Sequence, residues 1–166
     1  TDYGGGIHSC CGANPSLKNL TIINNGAYDG GGIFCIQNSN PTVTNVTITD
    51  NSGSNSGSGI FCWDNSNMSL ANCIIWDNGS PEIIVGTDCA VTATYSDIEG
   101  GWEGTGNIDA NPFFADTDNG NYRLADYSPC IGAGLDTSIV DTTDIEGNPR
   151  PNPANSNPDM GAYENA

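Results

Sequence analysis

The chain has 166 residues, enough for one domain and short for two. Three basic residues against 20 acidic ones give a formal net charge of -17, which excludes nucleic acid and anionic membrane surfaces, since both demand clustered Lys and Arg. Leu, Ile, Val and Phe number 5, 16, 5 and 4, together 30 of 166, a fraction typical of disordered chains at high charge. Against disorder, Ile and Val outnumber Leu by 21 to 5, and both are strand formers.

No run approaches the roughly 18 apolar residues that a membrane helix needs, so no membrane insertion is expected. No charged start followed by an apolar stretch marks a signal peptide; the numbering is expected to begin after processing or inside a longer protein. Seven cysteines, with Cys10 and Cys11 adjacent and no CxxC pair, do not spell a zinc site. Asn-x-Ser/Thr triplets at Asn19, Asn45, Asn67 and Asn78 are glycosylation acceptors in a secretory pathway that uses them, although a chain with 22 Asn generates such triplets by chance.

The organising signal is a repeat. GGGIHSCCGANPSLKNLTIINN from Gly4 aligns without gaps on GGGIFCIQNSNPTVTNVTITDN from Gly30 and GSGIFCWDNSNMSLANCIIWDN from Gly57. Every column keeps the same spacing: Ile7/Ile33/Ile60, Leu17/Val43/Leu70, Asn19/Asn45/Asn72, Ile22/Ile48/Ile75 and Asn25/Asn51/Asn78. A leucine-rich repeat has a similar period but needs many more Leu than the five present. Within each unit, short apolar/polar alternations such as Val43-Thr44 and Val46-Thr47-Ile48-Thr49 are broken by Asn, Gly and Pro, and no window keeps helical periodicity for ten residues.

Three short strands and three turns per repeat make one coil of a β-solenoid, with equivalent residues about 4.8 Å apart on successive coils. Each column then becomes a ladder. If the Ile7 column points inward, alternation sends Ser9/Cys35/Cys62 inward too, and His8/Phe34/Phe61 with Cys10/Ile36/Trp63 outward. Cys35 and Cys62 are expected as buried thiols rather than a bridge, because parallel Cβ vectors on adjacent rungs suit a disulfide poorly. The Asn19/Asn45/Asn72 column falls where the chain turns, so stacked side-chain amides account for it better than glycan attachment does.

The GGGI(F)C, NP(T)VTN and (I)I(W)DN elements resemble the right-handed parallel β-helix repeat proteins that bacteria secrete or display. TYSDIEGGWEGTGNIDANPFF (94–114), NYRLADYSPCIGAGLD (121–136), DIEGNPRP (144–151) and DMGAYE (159–164) resemble that family's closing segment. The resemblance implies an all-β right-handed parallel β-helix of about four coils over residues 1–106, with an irregular capping segment over 107–166. It also implies an extracellular or cell-surface setting. It does not select one activity, because adhesins and polysaccharide-degrading enzymes share such repeats.

Side-chain chemistry narrows the choice. A polysaccharide lyase needs a basic residue to take a proton α to a carboxylate, and only Lys18, Arg123 and Arg150 exist; Arg150 is expected to pair with a neighbouring Asp. Glycoside hydrolysis needs converging carboxylates, and the clear coils offer only Asp64 and the turn pair Asp50 and Asp77. The single histidine, His8, has no evident partner. Catalytic residues are therefore expected to be absent. No cofactor is required, although structural Ca²⁺ is conceivable at the acidic loops formed by Asp116, Asp118 and Asn121 and by Asp136, Asp141 and Asp144.

The outward apolar columns raise a different question. Phe34, Ile36, Phe61 and Trp63 share one face on neighbouring coils, and such a strip is not expected to meet water. The aromatic-rich tail could fold over it, another protein could bind it, or sugar rings could stack on Phe61 and Trp63. A solenoid also exposes unpaired backbone at uncapped ends, which favours head-to-tail assembly into filaments. The favoured reading is a non-catalytic extracellular structural or adhesion module, its partners being copies of itself, other surface proteins or polysaccharide. A carbohydrate-binding or polysaccharide-processing domain is the alternative. Protein over the Phe34/Phe61/Trp63 face supports the first; an open face beside acids supports the second. A threonine-array ice-binding surface, suggested by Thr42, Thr44, Thr47 and Thr49, is excluded because the equivalent stretch one coil on has Ser69, Ala71, Cys73 and Ile75.

Overall fold

The computed structural model describes residues 3–135 and 142–165. Coil one supplies β1 (Ile7–Ser9), β2 (Ser16–Ile23) and β3 (Gly26–Asp29). Coil two repeats the order with β4 (Ile33–Cys35), β5 (Thr42–Thr49) and β6 (Ser52–Ser56). Coil three has β7 (Ile60–Cys62), β8 (Asn67–Ala71) and β9 (Ile74–Trp76), and coil four has β10 (Ile83–Val85), β11 (Ala90–Thr94) and β12 (Asp97–Ile98). The tail carries the antiparallel pair β13 (Phe114–Asp116) and β14 (Asn121–Leu124) around a 3₁₀ turn, Thr117–Asn119.

Pairing between coils is parallel and in the register that the columns demand. Ile7, Ile33, Ile60 and Ile83 face one another across β1, β4, β7 and β10. Ser9, Cys35, Cys62 and Val85 follow two residues later. The inward columns make one continuous apolar core in which Ile33, Cys35, Val46, Ile48, Ile60 and Cys62 are completely buried. The two column cysteines are unbridged: Cys35 Sγ donates to Ser39 O and Cys62 Sγ to Ser66 O, each at 3.1 Å.

A second sheet runs through β2, β5, the β8–β9 pair and the β11–β12 pair. Each coil bends here through one residue in the left-handed region, Asn19, Asn45, Asn72 and then Tyr95, with φ between 47° and 54°. Asparagine tolerates that conformation better than other side chains with a Cβ. Its amide also builds the ladder: Asn45 Nδ2 donates to Asn19 Oδ1 and Asn72 Nδ2 to Asn45 Oδ1, both at 3.2 Å. A tighter ladder follows at the next turn. Asn51 Nδ2 lies 2.7 Å from Asn78 Oδ1 and within 2.9 Å of both Ile22 O and Thr49 O, while Asn51 Oδ1 accepts from the backbone and side chain of Asn25. Beside this turn a column of glycines is obligatory, since a Cβ on Gly32 would lie 2.5 Å from Gly59 O.

The described residues of the tail do not fold over the Phe34/Phe61 face. They run lengthwise along the outer surface of the second sheet, touching every coil: Thr143 O accepts from Asn19, Tyr122 Oη donates to Asp50 Oδ2 (2.6 Å), Leu135 N donates to Asn72 Oδ1, and Cys130 Sγ donates to Asp97 Oδ2, while Ala162 N donates to Thr47 Oγ1. The physical reason is the outward column Thr47–Ile74. Ile74 cannot face water, and it packs with Leu124, Cys130 and Met160. Arg150 pairs with Glu164 of the DMGAYE element (2.7 Å) and donates to Gly161 O, rather than pairing with an Asp.

The buried and exposed amide ladders differ in energetic weight. Asn51→Ala strands several buried partners and is expected to lose about 2–4 kcal/mol. Asn40→Ala, in the exposed Asn14/Asn40/Asn67 ladder, is expected to lose under about 1 kcal/mol. Urea denaturation of both variants measures the difference, and equal losses would remove the buried ladder from its central place.

Candidate functional site

The outward residues of the first sheet form an aromatic spine. Phe34 and Phe61 stack at 5.3 Å between ring centroids with 29° between planes. Tyr3 continues the stack beyond Phe34 at 5.6 Å and 24°, His8 leans on Phe34 at 5.2 Å, and Trp63 tilts against Phe61 at 5.5 Å. The rings cover one another: Phe34 and Phe61 are only 3% and 8% exposed, while Tyr3 and Trp63 remain 46% and 44% exposed.

The spine floors a groove of roughly 670 Å³. One wall comes from the parallel pair β3–β6, where Asn55 Nδ2 donates to the buried carboxylate of Asp29 at 2.8 Å. The other side holds Cys10, Ile36 and Gln37. The wall ends before Trp63 because the chain takes a short cut there. Four residues, 79–82, separate Asn78 from Ile83, against eight between Asn51 and Ile60, and among the described residues no third strand joins β3 and β6. Of the expected face, Phe34, Ile36, Phe61 and Trp63 do come together. Tyr3, Asp29 and Asn55 were not legible as members, since they sit outside the aligned columns or in the loop that carries the extra residue.

Gly86 follows Cys10, Ile36 and Trp63 in the same column, and the indole lies over it. A Cβ on Gly86 would stand 2.0 Å from Trp63 Cε3. The glycine is what lets Trp63 lie against the fourth coil.

Residues 1–106 match the family described as the right-handed β-helix region. The chain belongs to the right-handed β-helix family. No curated protein and no solved structure matches it. Among the described residues, no helix of this β-helix is long and apolar enough to cross a membrane.

A second concavity, of about 430 Å³, opens between coils three and four beside Asp77, Glu82, Glu99 and Trp102. Its two glutamates are already engaged: Glu82 accepts from Asn78 N at Oε1 and Asn78 Nδ2 at Oε2, and Glu99 Oε2 accepts from Asp77 N. Burial, assisted by the neighbouring Glu99, pushes the Glu82 carboxyl up to about 7 despite the Asn78 hydrogen bonds. Burial likewise raises Asp97 to about 6.

The acidic turns are occupied by their own hydrogen bonds. Asp116 Oδ2 accepts from Asn119, Asn121 Oδ1 accepts from Arg123, and Asp118 lies in the 3₁₀ turn. Asp144 binds the backbone of Glu146, Asn148 and Glu164. Burial alone would raise its carboxyl, but these bonds hold it below the usual carboxylate range. Asp136 and Asp141 lie outside the described residues. Among the described residues, no three His, Cys, Asp or Glu side chains converge as metal ligands. Of the four sequons, Asn45 and Asn78 are buried with their amides in ladders, which a glycan would disrupt; Asn19 is partly covered by the tail, and Asn67 is exposed.

Two outcomes follow. Gly86→Ala should displace the indole, changing the near-ultraviolet circular dichroism of Trp63 while far-ultraviolet spectrum and melting temperature stay close to the parent; an unchanged near-ultraviolet spectrum would contradict the contact. Separately, Glu82 and Asp97 bind protons more tightly folded than unfolded, so their contribution to stability is full below their unfolded values and is lost as pH rises through about 6 to 7. Melting temperature should therefore fall between pH 5 and 8, and Glu82→Gln should flatten much of that fall.

Proposed function

We propose that this β-helix is a non-catalytic extracellular adhesion module that holds a carbohydrate chain in the aromatic groove. The observation that carries the reading is the open face: the described part of the tail lies on the other sheet, Trp63 stays 44% exposed past the end of the polar wall, and that wall brings the Asp29 carboxylate and Asn55 amide to the same groove. Sugar rings present apolar CH faces to aromatic rings and hydroxyls to side-chain amides and carboxylates, and the groove offers both.

The spine divides the labour. Phe34 and Phe61 are spent on stacking and support the floor, so Trp63 and Tyr3 are the rings left to receive a sugar face. Charge selects among polysaccharides. At a net charge of -17 the domain repels uronate-rich or sulfated chains, which leaves neutral or amino sugars. In the second concavity Glu82 holds the end of an amide ladder and Glu99 a backbone N–H, which supports a binding role over a hydrolytic one.

Affinity electrophoresis in gels containing neutral, amino-sugar or uronate polysaccharides tests the reading. Retardation is expected with the first or second class. Trp63→Ala should weaken it about tenfold, or roughly 1.4 kcal/mol, with an unchanged melting temperature, whereas Lys18→Ala on the exposed side of β2 should have no effect. Retardation by none, release of reducing sugar, or dimerisation that buries Trp63 would replace the proposal with an inert scaffold, an enzyme or a protein interface, respectively.

A further inference from the structure

We infer that Cys10 and Cys11 form a redox-active dithiol that closes to a disulfide between adjacent residues on the wall of the groove. Neighbouring cysteines normally cannot do this. Consecutive side chains point to opposite faces of a strand, and consecutive Cα atoms are about 3.8 Å apart, less than the roughly 4.4 Å minimum of ordinary disulfides. Here β1 ends at Ser9, and the chain enters a turn in which Cys11 adopts φ 63° and Gly12 φ 76°. That turn swings both sulfurs to one side, 2.9 Å apart.

The stack imposes this geometry. The equivalent positions of coil two, Gln37 and Asn38, have φ 60° and 61°, and those of coil three, Asp64 and Asn65, have φ 52° and 56°. Backbone bonds lock the turns together: Gly12 N donates to Gln37 O and Asn38 N to Asp64 O. The left-handed conformation at Cys11 is thus held before any bond forms between the sulfurs. The pair replaces Ile36-Gln37 and Trp63-Asp64 of the later coils, so the sulfurs occupy positions where the repeat itself needs no cysteine.

Access separates this pair from four of the other five thiols, and the fifth, Cys89, is partly exposed with its Sγ toward Thr87 O at 3.5 Å rather than beside a second exposed cysteine. Cys11 is exposed and Cys10 partly so, whereas Cys35, Cys62, Cys73 and Cys130 are buried. Cys11 Sγ also lies 3.3 Å from Gln37 Oε1, and both Cys10 and Gln37 line the groove. The oxidant is a low-molecular-weight disulfide such as oxidised glutathione. The Cys11 thiolate attacks one of its sulfurs, forming a mixed disulfide and releasing one glutathione. The Cys10 thiolate then attacks the Cys11 sulfur and expels the second. The protein loses two thiol hydrogens and two electrons and gains one S–S bond; the oxidant's S–S bond becomes two thiols. A ring between adjacent residues is strained, so thiols should reopen it readily.

The test exposes the folded chain to oxidised glutathione, blocks remaining thiols by alkylation, and maps peptides without reduction. The expected product is a Cys10–Cys11 peptide lighter by two hydrogens, unalkylated and free of glutathione, which excess reduced glutathione converts back. Cys10→Ser and Cys11→Ser should each carry a glutathione adduct instead, and Cys89→Ser should behave as the parent. Ring closure should be at least several-fold slower in urea, where the turn is lost. A persistent adduct on Cys11 in the parent, a disulfide-linked dimer, a Cys62–Cys89 bridge formed in preference, or equal rates in urea would each overturn the inference.

Discussion

Every coil of this molecule is held by its own copy one turn away. Parallel strands about 4.8 Å apart place Ile on Ile, Asn on Asn and Phe on Phe, so a residue type that is useful at one rung is satisfied by its repetition at the next. This constraint explains how so polar a chain folds. The core is one narrow apolar column, and around it the Asn25–Asn51–Asn78 amides bond to backbone and to one another inside the fold. Buried amides of this kind stabilise only when fully paired, and the repeat supplies the pairing automatically.

The same logic decides which surface the tail takes. On the second sheet the outward column contains Ile74 and buried Thr47, and these need a cover that the coils cannot supply. The tail provides Leu124, Cys130 and Met160 and pins itself with hydrogen bonds to Asn19, Asp50, Asn72 and Asp97. On the first sheet the outward rings cover each other by stacking, so no cover is required. One face is thereby closed and the other left available, and the groove is a consequence of that asymmetry.

What could be read from the sequence follows from how a solenoid maps period onto space. The in-register columns, the inward cysteines and the asparagines at the bends were all legible, because spacing along the chain equals adjacency in the fold. Contacts without a repeat partner were not. Nothing in the spacing of Tyr122, Cys130 or Thr143 says which coil each touches, and Arg150 meets Glu164 only because the tail doubles back. The groove's floor was visible as Phe34, Ile36, Phe61 and Trp63, but its wall was not, since Asp29 and Asn55 come from segments whose length varies between coils. Assigning Phe61 as a sugar platform missed the fact that neighbouring rings bury it, which requires knowing the tilt of each ring and not just its column.

The end of a ladder poses a problem that its interior does not. Each Asn of the tight ladder donates to the next and accepts from the one before, so the last member needs an acceptor that asks for nothing further. Glu82 meets this need: its two oxygens take the backbone and side-chain hydrogens of Asn78, completing the row without leaving a buried donor. An asparagine there would present an amide with no rung above it, and an apolar residue would strand the backbone N–H of Asn78 and leave its amide only Ile48 O and Trp76 O. The cost falls on the carboxylate, which is buried beside Glu99 and so is driven toward its protonated form near neutrality. The shortened 79–82 segment makes this termination, because it brings a side chain from the start of coil four into the position that an Asn from a fourth full repeat would have filled. The same four residues stop the groove wall short of Trp63, so the device that finishes the polar ladder on one side of the stack also opens the aromatic face on the other.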